Sequence, residues 1–239
     1  MKTLVLSSQA LSKEAFASLT SLGFEVILMP PYHRLQKGVS SHPDMLIFKD
    51  GKIYVTTEEY YSIAKNVFDK ISSLGYVPLL TDEVPEKNYP FDVLFNTLTL
   101  GKRIFCFEKS LSDKVKEIAT HNGLEIINVR QGYTKCSVCK VSENAIITAD
   151  LGIAKAASRH GIDVLKISEG HVKLDGYNTG FIGGASGMFE DKMYFCGDIM
   201  SHPDGIKIAE FCRRHEKTPI SLSNEPLFDV GTLFFLPKV

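Results

Sequence analysis

The sequence predicts an α/β fold in which five ββαβ units form a closed, five-bladed propeller. A pattern of two short apolar strands, one amphipathic helix and one further strand recurs roughly every forty residues, a spacing typical of propellers and repeat arrays. Glycines such as Gly75, Gly123 and Gly161 follow the helices, as expected at helix C-termini. The fifth copy is divided between residues 230–236 and residues 3–29. An open α/β sandwich is the alternative, but it leaves the divided copy unexplained.

The most regular unit begins at Asp44 and shows each signal in order. Two apolar strands flank the hairpin turn Asp50-Gly51. Apolar residues then recur at helical spacing until Gly75. The predicted elements of this unit are strands over 45–49, 52–56 and 76–81 and a helix over 57–74.

The other units repeat this order with shorter elements. In the second unit a segment resembling 43–48 places Asn96 inside the first strand. In the third, Asp150 is predicted to cap the helix. The remaining predicted strands cover 103–107, 124–130, 137–141, 145–149, 162–167, 181–184, 192–196, 219–222, 230–236, 3–6 and 24–29, with helices over 112–122, 150–161 and 11–22 and after 201–204.

Composition favours one globular domain over residues 1–239. The net charge is −1, and no basic stripe suggests a nucleic-acid partner. No apolar segment has the length of a membrane span, and the apolar run at the N-terminus is short for a signal peptide. The five cysteines are odd in number and scattered, which favours a reducing, cytoplasmic location. Oligomeric state is left open.

A functional site is expected where the chain enters the innermost strand of each unit, because these strands would line a central channel. The entering loops cover 30–44, 82–92, 131–136, 169–179 and 224–229. Their polar residues are His33, His42, Asp44, Asp92, Cys136, His171, Asp175, Asn178, Glu225 and Asp229. Asn96 lies beside them, and a buried amide there needs hydrogen-bond partners.

Several of these features also have simple structural explanations. Asp44 and Asp92 could cap turns. The glycine-rich run over 180–187 lacks the pattern of a phosphate loop and favours a tight bend. Cys136 and Cys139 form one CxxC pair without a second pair, so no metal site is predicted. No cofactor is implied.

The segment from Pro43 to Asp50 (PDMLIFKD), together with the five-unit ring, resembles the pentein superfamily. That superfamily includes arginine deiminase, dimethylarginine dimethylaminohydrolase and a non-catalytic ribosome anti-association factor. The resemblance implies that Asp44 and Asp50 match carboxylates that hold a guanidinium group, with Lys49 where the family has glutamate. It also implies a catalytic histidine, for which His171 is the candidate.

The resemblance places a nucleophilic cysteine near the C-terminus, but here the segment reads Gly231-Thr232-Leu233, and no cysteine follows Cys212. Cys136, at the entrance to the inner strand of the third unit, is the candidate for a relocated nucleophile if the protein is an enzyme. We expect a polar central pocket for a small cationic, amine or guanidino compound, bound by Asp44, Asp50, Asp92, Asn96, Asp175, Asn178 and Asp229. Hydrolysis of C–N bonds is one expected activity. A non-catalytic binding or scaffold ring is the alternative.

Overall fold

The computed structural model describes residues 2–239 and contains five three-stranded sheets with one shared topology. In each sheet the first strand of a unit, here called the inner strand, pairs antiparallel with the second strand. The second strand pairs parallel with the third, which follows the helix. This arrangement is the predicted set of ββαβ units. Met1, the first residue of the predicted domain, lies outside the described residues.

The chain begins with the central strand of one sheet and ends with the inner strand of the same sheet. The strands are β1 (Leu4–Ser7), β2 (Glu25–Leu28), β3 (Phe48–Asp50), β4 (Ile53–Thr57), β5 (Val77–Thr81), β6 (Leu98–Leu100), β7 (Arg103–Cys106), β8 (Glu125–Asn128), β9 (Val138–Ser142), β10 (Ala145–Thr148), β11 (Asp163–Lys166), β12 (Ser186–Phe189), β13 (Lys192–Phe195), β14 (Thr218–Ser221) and β15 (Phe234–Leu236). The inner strands are β3, β6, β9, β12 and β15.

The helices connect the second and third strands of the units, with one exception at α2. They are α1 (Lys13–Ser21), α2 (Pro43–Leu46), α3 (Glu58–Ile63), α4 (Lys65–Ser73), α5 (Asp113–His121), α6 (Leu151–Arg159) and α7 (Gly205–Arg214). Asp150 caps α6 as predicted, since its side chain accepts a hydrogen bond from the Ile153 amide. The single helix predicted over 57–74 is two helices that meet at Ala64.

The divided fifth unit is confirmed by strand pairing. Leu4 lies opposite Leu236 in an antiparallel pair and beside Glu25 in a parallel pair. The N-terminal strand β1 is therefore the middle strand of its sheet. Its apolar residues are fully buried, and this pairing joins both ends of the chain in one propeller-like arrangement.

The inner strands differ most from the prediction. Residues 45 and 46 are not strand but belong to α2, in which Pro43 occupies a first-turn position with no amide hydrogen to satisfy. Asn96 precedes β6 instead of lying inside it. The strand predicted over 181–184 is a turn, and β12 starts at Ser186. At Gly183 a Cβ would lie 2.3 Å from the Val138 carbonyl oxygen, which confirms the predicted tight bend.

Apolar side chains fill the spaces between neighbouring units and bury four of the five cysteines there. Cys139 and Cys212 pack in one cluster, Cys106 in a second and Cys196 in a third. All five cysteines in residues 2–239 are free thiols. Over the same residues, no helix combines the length and the apolar character that a membrane crossing needs.

Candidate functional site

The loops that enter the inner strands bring six polar side chains together, and we call them the central cluster. None of the six is more than 4% exposed. They come from segments as far apart as α2 and the entrance to β15. The members are His42, Asp44, Asn96, Cys136, Asp229 and Thr232.

Asp44 is the acceptor at the middle of the central cluster. The Cys136 thiol donates to its Oδ2 at 3.0 Å, and the Thr232 hydroxyl donates to the same oxygen at 2.7 Å. Its other oxygen, Oδ1, is buried without a hydrogen-bond partner among the described residues. The helical turn α2 determines this orientation, since it turns Asp44 away from the position a continuous strand would give it. One carboxylate oxygen therefore remains available to a ligand.

Asn96 holds the loop that carries Cys136. Its Oδ1 accepts hydrogen bonds from the backbone amides of Lys135 at 2.7 Å and Cys136 at 3.3 Å. Its Nδ2 lies 3.1 Å from the Cys136 sulfur and 3.4 Å from the Asp44 carbonyl oxygen. The amide thus has the partners that burial requires, and it positions the sulfur from both sides.

Asp229 and His42 form the second half of the central cluster. Backbone amides of Gly231 and Phe181 donate to the two oxygens of Asp229, each at 2.9 Å. His42 Nδ1 lies 3.7 Å from Asp229 Oδ1, which is longer than a hydrogen bond. Neither ring nitrogen of His42 has a hydrogen-bond partner among residues 2–239. Both ring nitrogens of this buried imidazole are therefore available to a ligand.

The charges of the cluster favour protonated forms. Burial raises the pKa of the Cys136 thiol well above its usual value, and the neighbouring carboxylates Asp44 and Asp229 raise it further. Burial also raises the pKa of Asp229 to about 6, against a lowering contribution from His42. Cys136 is therefore a neutral thiol, and a cation placed between it and the carboxylates would offset these shifts.

The donor atoms of three residues are also close enough to hold an ion. Ligand atoms of His42, Asp44 and Cys136 lie within 4.8 Å of one another. Imidazole, carboxylate and thiolate are all zinc ligands. Because His42 and Asp44 Oδ1 are unpartnered, this set could accept a divalent metal ion as well as an organic cation.

A cavity of about 220 Å³ lies beside the cluster, and we call it the central cavity. All five inner strands contribute residues to its wall, so it marks the centre of the propeller-like arrangement. Thr232 lines the cavity and also donates to Asp44, so it connects the two regions. The charged residues on the wall are Lys49, Lys135 and Lys140.

Of the residues that the sequence singled out, the structure brings Asp44, Asn96, Cys136 and Asp229 into the cluster. Asp92 is buried nearby, where its Oδ2 accepts a hydrogen bond from the Tyr133 hydroxyl at 2.5 Å. Burial raises the pKa of Asp92.

The other predicted residues lie apart from the cluster. His171, Asp175 and Asn178 are exposed. The His171 ring contacts that of His202, with centroids 5.2 Å apart, in a separate cavity of about 160 Å³. Asp50 ends β3 and accepts a hydrogen bond from the Asn122 side chain at 2.8 Å. These four residues do not share the surroundings of Cys136.

Sequence reasoning named His42 only among the polar residues of the entering loops, without a role, and it did not select Thr232 or the three lysines of the central cavity as site residues. His42 had one usable signal, its place in the same short loop as Asp44. Thr232 follows Gly231, which adopts φ +70° and turns the chain back into the centre. Lys49 and Lys140 lie within inner strands, where a charged residue that interrupts an apolar run could have indicated the cavity.

Comparison with known proteins identifies the family and the fold. A family of unknown function, DUF6873, matches residues 6–234, and the chain belongs to this family. The sequence matches no curated protein.

Solved structures with a similar fold include a dimethylarginine dimethylaminohydrolase, an agmatine deiminase and an amidinotransferase. Dimethylarginine dimethylaminohydrolase from Pseudomonas aeruginosa, in complex with citrulline, aligns with a TM-score of 0.58 at 10% identity, covering 94% of this chain and 93% of that one. Agmatine deiminase from C. jejuni has a TM-score of 0.58 at 8% identity, covering 93% and 88%. An amidinotransferase from Microseira wollei, from the saxitoxin biosynthetic pathway, has a TM-score of 0.56 at 11% identity, covering 94% and 78%. The predicted pentein fold is thereby confirmed.

Proposed function

We propose that this DUF6873 protein binds a small guanidino or amine compound at the central cluster and cleaves a C–N bond with Cys136 as the nucleophile. The observation that supports this proposal is the convergence of Cys136 with two carboxylates, Asp44 and Asp229, at the centre of a pentein fold. Buried carboxylates without a cationic partner are costly, so a cation is the ligand that this charge pattern favours.

The bound cation would also activate the thiol. In the free protein, burial raises the pKa of the Cys136 thiol, and the charges of Asp44 and Asp229 raise it further, so the thiol is neutral. A guanidinium group between these carboxylates cancels their charge, which lowers the pKa of the thiol and allows its proton to pass to Asp44 Oδ2, 3.0 Å away. The nucleophile therefore forms only when the ligand is present.

The reaction that follows can be written with these residues. The sulfur attacks the guanidinium carbon, an S–C bond forms, and the C–N bond to the leaving amine breaks. His42 supplies the proton to the departing amine, a role that its position beside the carboxylates supports. Water then attacks the S-linked carbon and gives one proton to His42, which restores the proton that His42 lost. The S–C bond breaks, Asp44 returns its proton to the sulfur, and the released amine takes the second proton of the water as the ureido product leaves.

His42 and His171 can be distinguished by matched variants. We expect His42→Gln to abolish turnover and His171→Gln to leave it within about twofold, because His171 is exposed in a different cavity. The assay is release of amine or ammonia from agmatine, arginine and N-methylarginine, followed by mass spectrometry of the ureido product. Cys136→Ser tests the nucleophile itself.

A second measurement does not depend on choosing the correct substrate. Chloroacetamidine is a cationic electrophile, and iodoacetamide is a neutral one. We expect the cationic reagent to label Cys136 faster than the neutral reagent, and Asp44→Asn to remove this preference. Cys139, which is buried and has no carboxylate contact in the structure, is the internal control. No turnover of the panel together with equal labelling by both reagents would overturn the proposal.

A further inference from the structure

The central cavity has a charge opposite to that of the central cluster beside it. Its wall carries three lysines and no acidic side chain. Hydroxyl groups of Thr97, Thr99, Ser186 and Thr232 complete the polar part of the wall. The cluster favours a cation, whereas this space presents hydrogen-bond donors and positive charge.

Two of the lysines make no direct ion pair among the described residues. Among residues 2–239, neither the Lys49 nor the Lys135 ammonium makes a hydrogen bond or an ion pair. The Lys49 ammonium lies 5.5 Å from the centre of the Tyr76 ring. Lys140, in contrast, donates to the Thr99 carbonyl oxygen at 2.9 Å and pairs with Glu143 at 2.5 Å. Lys49 and Lys135 are therefore the two lysines of the wall whose ammonium groups have no direct ion-pair partner among the described residues.

Partial burial disfavours the charged form of both lysines. Burial lowers the pKa of Lys49 and of Lys135. The charge of Asp50 partly offsets this at Lys49 and that of Asp44 at Lys135, while Lys140 lowers both pKa values further. Thr97 adds an independent observation, since its hydroxyl oxygen is buried on the cavity wall without a partner in the part of the chain that the structure describes. The wall of the central cavity thus carries two ammonium groups without a direct partner and one hydroxyl group without a partner.

We propose that the central cavity binds a small oxyanion, either a carboxylate or a phosphate group, held by Lys49 and Lys135 with hydroxyl donors from the wall. Charge-assisted hydrogen bonds to such a group would satisfy the unpaired ammonium groups. The volume of about 220 Å³ suits a molecule smaller than the drug-sized ligands that fill pockets of about 300–1,000 Å³. This inference does not depend on the reaction proposed for Cys136.

Binding can be measured by calorimetry with inorganic phosphate and with succinate in low-salt buffer. We expect saturable binding to the parent protein and a loss of about tenfold or more in affinity for Lys49→Met and for Lys135→Met. Methionine keeps the length and the apolar stem of lysine. Lys140→Met should lose less, because Glu143 already neutralises Lys140. Lys52→Met, on the exposed hairpin beside β3, is the matched control.

Stability without any ligand provides a second readout. In buffer free of oxyanions, Lys49→Met and Lys135→Met each remove a desolvated, unpaired charge, so we expect the Tm to rise by about 2–4 °C. The same variants should lose the Tm increase that phosphate gives the parent. Absence of binding by both probes, or unchanged affinity in the Lys49→Met/Lys135→Met double variant, would overturn the proposal.

The source of the oxyanion is distinguished by adding a guanidinium compound. If the oxyanion is one end of the compound that also occupies the cluster, a guanidino acid will bind more tightly than succinate and methylguanidinium together, and Lys135→Met will raise its KM. If the oxyanion is a separate ligand, phosphate and methylguanidinium will bind independently. Both results support the anion site, and the Cys136→Ala variant should retain phosphate binding in either case.

Discussion

The Cys136 thiol donates a hydrogen bond to Oδ2 of Asp44 at 3.0 Å, although 92 positions separate the two residues in sequence. This contact joins the loop before β9 to the helical turn α2. It also places a negative charge directly against a sulfur that must lose its proton to react.

We expect Asp44→Asn to lower the thiol pKa of Cys136 by about one unit or more, because a carboxylate within about 4–6 Å disfavours the thiolate. The measurement is thiolate absorbance against pH, with Asp44→Asn/Cys136→Ala as the blank for the other cysteines. An unchanged titration would show that burial and Asp229 determine the pKa without a contribution from Asp44.

Asn96 is expected to be a large contributor to stability. Asn96→Ala leaves the buried amides of Lys135 and Cys136 without their acceptor, which should lower the free energy of unfolding by about 2–4 kcal/mol. Urea denaturation measures this loss. Asn144→Ala, at an exposed asparagine, is the control and should change stability by less than about 0.5 kcal/mol. Equal effects of the two changes would contradict the role assigned to Asn96.

Asp229 should make stability depend on pH between about 4 and 6. Its pKa in the folded protein is about 6, above the ordinary 3.8, because burial penalises the charged form. Between these values the folded state binds the proton more tightly than the unfolded state, so this group's contribution falls as pH rises towards 6 and stays low above it. The full shift corresponds to roughly 3 kcal/mol.

The pH effect is isolated by comparing the parent with Asp229→Asn in thermal unfolding at pH 4–8. The parent should lose stability relative to the variant as pH rises from 4 to 6, and the difference should then level off. A cationic ligand needs the ionised form of Asp229, so its affinity should fall as pH decreases below 6. A flat difference between parent and variant would contradict the raised pKa.

Gly231 permits the close approach of the loop before β15 to His42. It adopts φ +70°, and a Cβ there would lie 2.2 Å from the His42 Cβ. Gly51 has a similar φ of +54° with no atom within 4 Å of the added Cβ. Both alanine variants carry a left-handed backbone cost of about 1 kcal/mol, so the additional loss in Gly231→Ala measures the contact with His42.

We expect Gly231→Ala to lose at least about 2 kcal/mol more than Gly51→Ala in urea denaturation, because overpacking forces neighbouring groups to shift. It should also reduce labelling of Cys136 by cationic reagents. Similar losses of unfolding free energy in the two variants would mean that the loop shifts away from His42 without an energetic penalty.

The fold was largely predictable because its signals are local and repeated. Strand alternation, helix periodicity and terminal glycines identify the second strand, helix and third strand of each unit. The prediction of the inner strands was less accurate. Residues 45–46 resemble a strand by their apolar content, but they belong to a helical turn that begins at Pro43. At residues 181–184 the glycines serve close backbone approach, which apolar patterning cannot reveal.

The cluster was partly predictable for a different reason. Asp44, Cys136 and Asp229 precede inner strands, and topology brings such positions to one centre. The choice between His42 and His171 depends on side-chain direction within loops, which residue order does not encode. The basic cavity depends on which side chains of β3 and β9 face inward, and a three-residue strand such as β3 is too short to show alternation.

The hydrogen bond from Thr232 to Asp44 spans 188 residues, and the middle strand β1 pairs with β15, which is synthesised after the other fourteen strands described. At typical rates of protein synthesis, roughly 10–40 s separate the appearance of Asp44 from that of Thr232 on the ribosome. During that interval β1 has an open edge and Asp44 lacks one of its donors. Residues 232–236 therefore complete both the sheet and the cluster, so a chain terminated before Thr232 would carry neither in full.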